Sequence, residues 1–345
     1  MKKVCLCAHF GEGKELLNGQ SIKAKVIAEE VGRKLGQDQV VSIDTHGGLP
    51  AVFTLTVLLL RAFITCKNIV IMPGRKGLRF FVPLTRIISF FLRRKTHYIV
   101  IGGWLDNYLQ NRPFLRRLLY KCDYIYVETH EMKADLERNG FQNIVILANC
   151  KKLHILTESE LVYSHASPYK LCTFSRVSDK KGIEDAVSAV ISINNKENRV
   201  VYSLDIYGPV DDNYMPRFNE IKGSFPEYIS YCGTVPYDKT TEVIKDYFLV
   251  LFPTHYETEG LPGTLIDAYA SGVPVVASDW RYSREFVDDG AGYIYDFKSV
   301  QALTYLLDTL KDDIACVNAK KTSCIKQAYR YTSETVIDIL VSRLN

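Results

Sequence analysis

Short β-branched and aromatic runs recur along this chain, separated by stretches of helical periodicity. In the first half, Lys2 to His9, Val40 to Ile43, Asn68 to Met72, Tyr98 to Gly102, Tyr124 to Glu128 and Asn143 to Leu147 read as strands. Leu171 to Phe174, Val201 to Tyr207, Ile229 to Gly233, Phe248 to Pro253 and Val273 to Ala277 continue the series. Most are apolar throughout, as strands covered on both faces of a parallel sheet are. Between them, Ser21 to Leu35 is amphipathic and closed by Gly36, residues 51–65 are apolar, and Glu131 to Asn139 ends at Gly140. A helix follows from about Ile183, and a helix-rich segment runs from about Val300 to the end. Strands alternating with helices predict an α/β protein. The pattern loosens between Ala148 and Pro168, and a boundary there predicts domains over 1–160 and 161–330, with residues 331–345 as a last helix.

The most informative stretch is Thr254 to Asp279. Glu257 and Glu259 lie in a polar, glycine-bearing loop. Pro262, Gly263 and Thr264 read as a helix start, Leu265 to Ser271 as its body and Gly272 as its stop. A helix N-terminus behind small residues attracts phosphate through its free N–H groups and its dipole. Glu259 and Asp267 would repel a phosphate, but ionised carboxylates accept hydrogen bonds and suit the hydroxyls of a sugar or a ribose. A loop charge at Glu259 and a solvated helix residue at Asp267 form the plainer alternative.

Upstream, Arg176 ends a strand, and Lys180 and Lys181 precede Gly182 at the mouth of a helix. Two cations at that position can clamp a diphosphate. Two further strands run into Gly208-Pro209 and Thr234-Val235-Pro236, loops expected to line the same crevice. The first strand runs into a loop with Gly11, Gly13 and Gly19 but no G-x-G-x-x-G, so a dinucleotide fingerprint is absent.

The block EGLPGTLIDAYASGVPVVASD resembles the E-x7-E region of family 4 glycosyltransferases, with Asp267 in place of the second glutamate. The segment from Arg176 to Gly182 is similar to that family's G-R-L-x-x-x-K-G. The resemblance implies a GT-B fold: two Rossmann-like domains facing a central cleft, with the last helix crossing back to the first domain. It implies retaining transfer of a sugar from a nucleotide diphosphate. On that likeness Arg176 and Lys181 neutralise the diphosphate together with the helix start at Gly260 and Leu261. Glu259 holds sugar hydroxyls, Asp267 the ribose, and Gly208, Thr234 and Val235 surround the nucleotide. Asn18-Gly19-Gln20, with Gly19 at its centre, is expected near the donor phosphates. Many relatives carry a histidine after the strand at Tyr98, and none stands there; Asp106 is the nearest polar candidate for the acceptor, with helix capping as its plainer role.

Charge adds an asymmetry. Residues 1–150 hold 22 Lys+Arg against 12 Asp+Glu, and residues 151–345 hold 21 against 27. The basic half includes RFFVPLTRIISFFLRRK, residues 79–95, after an expected loop at Gly74 to Gly77. There bulky apolar residues are flanked by Arg79, Arg86, Arg93, Arg94 and Lys95, a composition suited to an anionic membrane surface. RPFLRRLLYK, residues 112–121, repeats it; helices packed on the sheet with arginines outward are the competing account. The expected partners are therefore a nucleotide-sugar donor, UDP-sugar favoured, a lipid-linked saccharide acceptor and the membrane, with no nucleic acid.

The nine cysteines include no C-x-x-C pair, the seven histidines no paired spacing, and the chain no D-x-D triplet. Reduced buried thiols and a reaction requiring no metal or cofactor are expected. No leader or membrane-spanning run is recognised, which predicts a cytoplasmic protein, peripheral on the membrane. A role in capsule or exopolysaccharide assembly fits this picture. A nucleotide-sugar 2-epimerase, a glucan synthase and a non-catalytic partner subunit are the competing functions.

Overall fold

A computed structural model of the protein describes residues 1–11, 19–45 and 52–344. Gly13, Asn18 and Ala51 lie outside the described residues. The chain forms two compact units, one of Met1–Lys152 with Tyr331–Asn345, the other of Leu153–Arg330.

The first unit runs β1 (Lys2–Ala8), α1 (Gly19–Leu35), β2 (Val40–Asp44), α2 (Val52–Thr65), β3 (Cys66–Ile71) and α3 (Arg75–Leu92). It continues with β4 (Lys95–Ile99), α4 (Leu105–Gln110), α5 (Pro113–Leu119), β5 (Tyr124–Val127), α6 (His130–Arg138) and β6 (Ile144–Ile146). The sheet is parallel in the order β2-β1-β3-β4-β5-β6. In β1 all five residues from Val4 to Ala8 are buried, as the unbroken apolar run requires. The chain moves one way from β1 to β2 and the other way from β3 to β6. Right-handed crossovers therefore put α1 on one face of the sheet and α2, α3 and α5 side by side on the other.

The second unit runs β7 (Tyr169–Phe174), α7 (Ile183–Glu197), β8 (Tyr202–Tyr207), α8 (Met215–Lys222), β9 (Ile229–Gly233), α9 (Thr240–Ile244) and β10 (Leu249–Phe252). There follow α10 (Gly263–Ala270), β11 (Val275–Ser278), α11 (Ser283–Phe286), β12 (Gly292–Tyr295), α12 (Val300–Leu310), α13 (Ile314–Ala319) and α14 (Lys321–Ala328). Its sheet is also parallel, in the order β12-β11-β10-β7-β8-β9. The winding direction reverses between β7 and β10, so their following loops diverge and leave a crevice at the strand ends. The helix α7 packs with α12, and α10 packs with α9 and α14. The core gathers Leu171, Leu204, Ile206, Leu249 and Leu251 from the strands with Val190 and Leu307 from the helices. The last helix, α15 (Ser333–Val341), belongs to the first unit, where it packs on α1.

Three expectations need correction. The boundary lies at Lys152/Leu153, not near 160. Leu156 donates its N–H to the Ala270 carbonyl, Thr241 Oγ1 donates to the His154 carbonyl, and Leu156 and Leu161 pack with Ile325, so this connector is built into the second unit. The expected loop from Gly74 to Gly77 is helical from Arg75, with Gly74 as its N-cap. Asp106 sits in the first turn of α4, whose cap is Trp104, and its side chain is buried. It therefore does not cap the helix.

Candidate active site

Of the sequence-predicted cations and carboxylates, Lys181 and Glu259 meet at the β7/β10 switch point. After β7 the chain continues through Ser175 and Arg176 to Val177, which bridges in parallel to Val210. Gly208 makes this possible: a Cβ there would fall 1.9 Å from the Ser175 carbonyl oxygen, and its φ of 131° lies where L-residues rarely go. On the other side, Thr264 Oγ1 donates to the Phe174 carbonyl at 2.5 Å. The backbone carrying Arg176 is thus wedged between the β8 exit and the first turn of α10. Arg176 itself is half-exposed and lies 3.8 Å from Asp211, too long for a tight pair.

Lys181 reaches the site by a tight turn. Gly182 takes φ 62°, and a Cβ there would lie 1.8 Å from the Pro253 carbonyl oxygen, so the turn rests directly on the β10 exit. The Lys180 carbonyl accepts from the His255 N–H at 2.8 Å and faces Thr254 Oγ1 at 3.2 Å. Pinned in this way, Lys181 Nζ meets Glu259 Oε2 at 2.5 Å and lies 5.1 Å from the Phe252 ring centroid. The two side chains are only 19% and 16% exposed, so their attraction is poorly screened by solvent.

Thr254 is the residue that sequence reasoning missed. Its hydroxyl accepts the Tyr256 N–H at 3.1 Å and has one proton for two acceptors, the Lys180 carbonyl and Glu259 Oε2 at 3.3 Å. Its carbonyl accepts from Ser278 Oγ at 2.6 Å, tying the loop to β11. His255 Nε2 lies 2.7 Å from Asp185 Oδ2 in the first turn of α7, a second tie between the two diverging loops. The polar run THYETEG marked the loop but not which of its members would face Lys180.

Gly260 and Leu261 are buried ahead of α10, whose N-cap is Pro262, and the N–H groups of its first turn have no partner within the helix. Thr264 is the second helical residue, and the helix stops ahead of Gly272, which takes φ 63°. Asp267 is buried, and Thr240 Oγ1 of α9 approaches its Oδ1 at 3.4 Å. The β8 and β9 exits are tied by the Gly208 N–H to the Gly233 carbonyl at 2.8 Å and by Tyr231 Oη to the Gly208 carbonyl at 2.9 Å. Thr234, exposed, and Val235, half-buried, follow directly.

Gly19 belongs to the other unit, exposed at the start of α1. Of the five basic residues at 79–95, three make side-chain hydrogen bonds within the unit: Arg94 Nε donates to the Phe63 carbonyl at 2.9 Å and Arg86 Nη1 to Thr96 Oγ1 at 3.4 Å. Arg79, the third, donates to Tyr108 Oη at 2.9 Å, while Arg93 and Lys95 are exposed. Among the described residues no group of three or more His, Cys, Asp or Glu is placed to hold a metal ion, and no helix is long and apolar enough to cross a membrane.

Residues 168–313, the body of the second unit, match the family described as Glycosyl transferases group 1. The chain is 27% identical over 206 residues to the UDP-N-acetylglucosamine--peptide N-acetylglucosaminyltransferase GtfA subunit of Streptococcus gordonii, covering 59% of this chain and 38% of that protein. It is 22% identical over 145 residues to the amylovoran biosynthesis glycosyltransferase AmsK of Erwinia amylovora, 41% of this chain and 35% of that one. It therefore spans well under half the length of these relatives. In fold it is similar to Anabaena HepE, solved with UDP and glucose, at a TM-score of 0.73 and 14% identity over 100% of this chain and 99% of that one. Sucrose-phosphate synthase from Thermosynechococcus elongatus gives 0.75 and 14% identity over 99% and 98%. The chain thus has the GT-B fold.

Proposed function

We propose that this chain, a glycosyltransferase of GT-B type, transfers a sugar with retention from a nucleoside diphosphate to a hydroxyl of a lipid-linked saccharide. The observation that carries this reading is the meeting of Lys181 and Glu259 at 2.5 Å, one from each side of the β7/β10 switch point and beside the start of α10. A diphosphate laid on that helix start meets oriented N–H groups, Lys181 and Arg176; a carboxylate next to it accepts bonds from sugar hydroxyls. In the reaction the sugar C1–O bond to the diphosphate breaks and the acceptor oxygen bonds C1 on the same face. The acceptor proton leaves with the diphosphate. Negative charge grows on the leaving group while the sugar becomes oxocarbenium-like, so fixed cations and dipoles at the diphosphate lower the barrier. No metal is needed for that neutralisation.

Asp267 takes the ribose hydroxyls, and the loops at Gly208, Thr234 and Val235 enclose the base. UDP is the favoured carrier, as in the complex formed by HepE. The lipid-linked acceptor, a place in surface polysaccharide assembly and work at the inner membrane face are supported by the basic first half and by the likeness to AmsK. A second reading has the chain as one subunit of a heteromeric transferase. Its support is that a GtfA/B complex shares its fold at a TM-score of 0.64, 22% identity, 85% of this chain and 59% of that one.

Incubation of the chain with a panel of nucleotide sugars, with and without lipid-linked saccharide, tests the proposal. Release of nucleoside diphosphate coupled to loss of acceptor is expected. Interconversion of the sugar without release identifies an epimerase instead, and turnover only with an added partner establishes the subunit reading.

A further inference from the structure

In the first unit, α2 has its inner face at Leu55, Leu59, Ala62 and Phe63, all buried. Its outer face repeats the pattern one step round: Phe53, Val57, Leu60 and Ile64 follow the i, i+4, i+7, i+11 spacing and are exposed. A helix apolar on both faces belongs inside a protein or a bilayer, yet among the described residues of its unit nothing buries the outer face of this one. Its neighbour α3 adds Ile87, Phe90 and Phe91 in its last turns, and α5 adds Phe114. Phe53 is 80% exposed, Phe90 75%, Phe91 74% and Phe114 69%. Phe90, Phe91 and Phe114 line one groove of about 310 Å³ with Ile87, and α3 packs against both α2 and α5. Three helices of one layer thus share an unpartnered apolar face, far more than the scattered exposed apolar residues that need no explanation.

Its charge names the occupant. From residue 45 to residue 105 the sequence has nine Lys and Arg and no Asp or Glu. Arg117 in the last turn of α5 and Lys121 just after it continue the basic rim, both exposed. A second copy of this chain placed face to face would set basic rim against basic rim, which repels. The required surface is apolar beneath and anionic at its edge, which describes a bilayer leaflet with acidic headgroups.

We propose that the α2/α3/α5 face inserts its phenylalanines and aliphatic side chains into the acyl boundary of an anionic leaflet, with Arg93, Arg117 and Lys121 on the headgroups. This deepens the lipid-linked acceptor proposed above and rests on it: a carrier embedded in that leaflet is delivered to a chain already seated there. Binding by insertion differs from binding by charge alone. Salt screens the basic contacts but leaves apolar burial intact, so the two are separable.

Flotation of the full chain with vesicles of phosphatidylcholine alone, or with added phosphatidylglycerol, reads the binding. The chain is expected to float with the anionic vesicles and to keep part of that binding in high salt. Phe90→Ser/Phe91→Ser should lower the partition roughly tenfold or more in both salts, and Arg93→Glu/Arg117→Glu/Lys121→Glu roughly fivefold per charge in low salt only. A Phe90→Trp variant reports depth: quenching by acyl-brominated lipid is expected, and its absence while the chain floats overturns insertion. Failure of the unaltered chain to float overturns the docking face altogether. So does a stable oligomer that Phe90→Ser/Phe91→Ser dissolves, since it assigns the face to protein. Turnover of nucleotide sugar by the unaltered chain in solution is followed in parallel: turnover without flotation sinks this face alone, and flotation without turnover sinks the transferase reading alone.

Discussion

In the free protein Lys181 sits on Glu259, whereas the proposed reaction asks Lys181 to face a diphosphate and Glu259 to face a sugar. On that proposal the ion pair is a placeholder that keeps two partly buried charges satisfied until the donor takes both. This separates stability from catalysis. Lys181→Met leaves Glu259 poorly solvated, with Thr254 Oγ1 at 3.3 Å as its remaining partner, and should cost about 1–2 kcal/mol of stability. It should also lower kcat for nucleoside diphosphate release by roughly a hundredfold or more. Adding Glu259→Gln removes the orphaned charge, so the double variant is expected to recover most of the lost stability in a urea titration while activity stays lost. Recovery of activity would show that the pair is structural. The sequence singled out Arg176, Lys181, Glu259 and Asp267 as candidates by residue type and spacing, and the structure brings Lys181 and Glu259 of these together. Thr254, Asp185 and Thr240 were not singled out: a threonine or aspartate at an element end looks the same whether it meets solvent or a ligand-bearing loop.

At the scale of elements, both site loops depend on glycines that let backbone touch backbone. Gly182→Ala puts a Cβ 1.8 Å from the Pro253 carbonyl oxygen at a φ of 62°, so the turn must lift off the β10 exit. A loss of about 2 kcal/mol or more is expected in thermal unfolding, with a larger loss of turnover because Lys181 rides on that turn. A different junction stabilises the first unit. His97 of β4 is buried, with Nδ1 2.9 Å from Tyr126 Oη of β5 and Nε2 3.2 Å from Asn68 Oδ1 of β3. Asn68 Nδ2 donates to the Lys3 and Leu344 carbonyls, so its Oδ1 is left to accept and the histidine carries its proton on Nε2. Burial holds this imidazole neutral, its pKa lowered to about 4, with Lys95 and Arg343 acting in the same sense and Asp123 against them. The unfolded chain therefore takes up a proton between about pH 6.5 and 4 that the folded unit refuses, and stability falls as pH falls through that window. The loss is expected to approach ~3 kcal/mol, read as a urea midpoint that drops from pH 7 to pH 4 in the wild type and drops less in His97→Phe. Strands such as β1 and β10 were legible because a buried parallel strand is written as an apolar run. The start of α3 was not, because Gly74 to Gly77 carries loop composition that the amphipathic residues after it overrule.

At the scale of the whole molecule, chain order and unit membership part company at the C-terminus. The second unit ends at Arg330, yet Val336, Ile337, Leu340 and Leu344 are buried in the core of the first, with Val4, Leu6, Ile27 and Val31. The return is fixed at its start by the Ser333 N–H on the Lys151 carbonyl and the parallel bridge from Lys151 to Thr332, and at its end by Asn68 on Leu344. The likeness to GT-B proteins made this return legible, whereas periodicity alone gave only a terminal helix. Its energetic consequence comes from the burial. Four side chains removed from water at about 1.5–3 kcal/mol each amount to about 6–12 kcal/mol as an upper bound, a figure comparable with the stability of an ordinary domain. Deleting residues 331–345 should therefore unfold the first unit, which lies at the opposite end of the sequence, and leave the second unit folded. Limited proteolysis checks this: a resistant fragment beginning near Leu153 is expected from the truncated chain, and cleavage within residues 1–152 should be fast. Because Lys181, Glu259 and the α10 start all lie in the surviving unit, that fragment should still bind a nucleoside diphosphate in calorimetry. It should not turn over a nucleotide sugar with acceptor, since the proposed acceptor face is carried by the unit that has been lost.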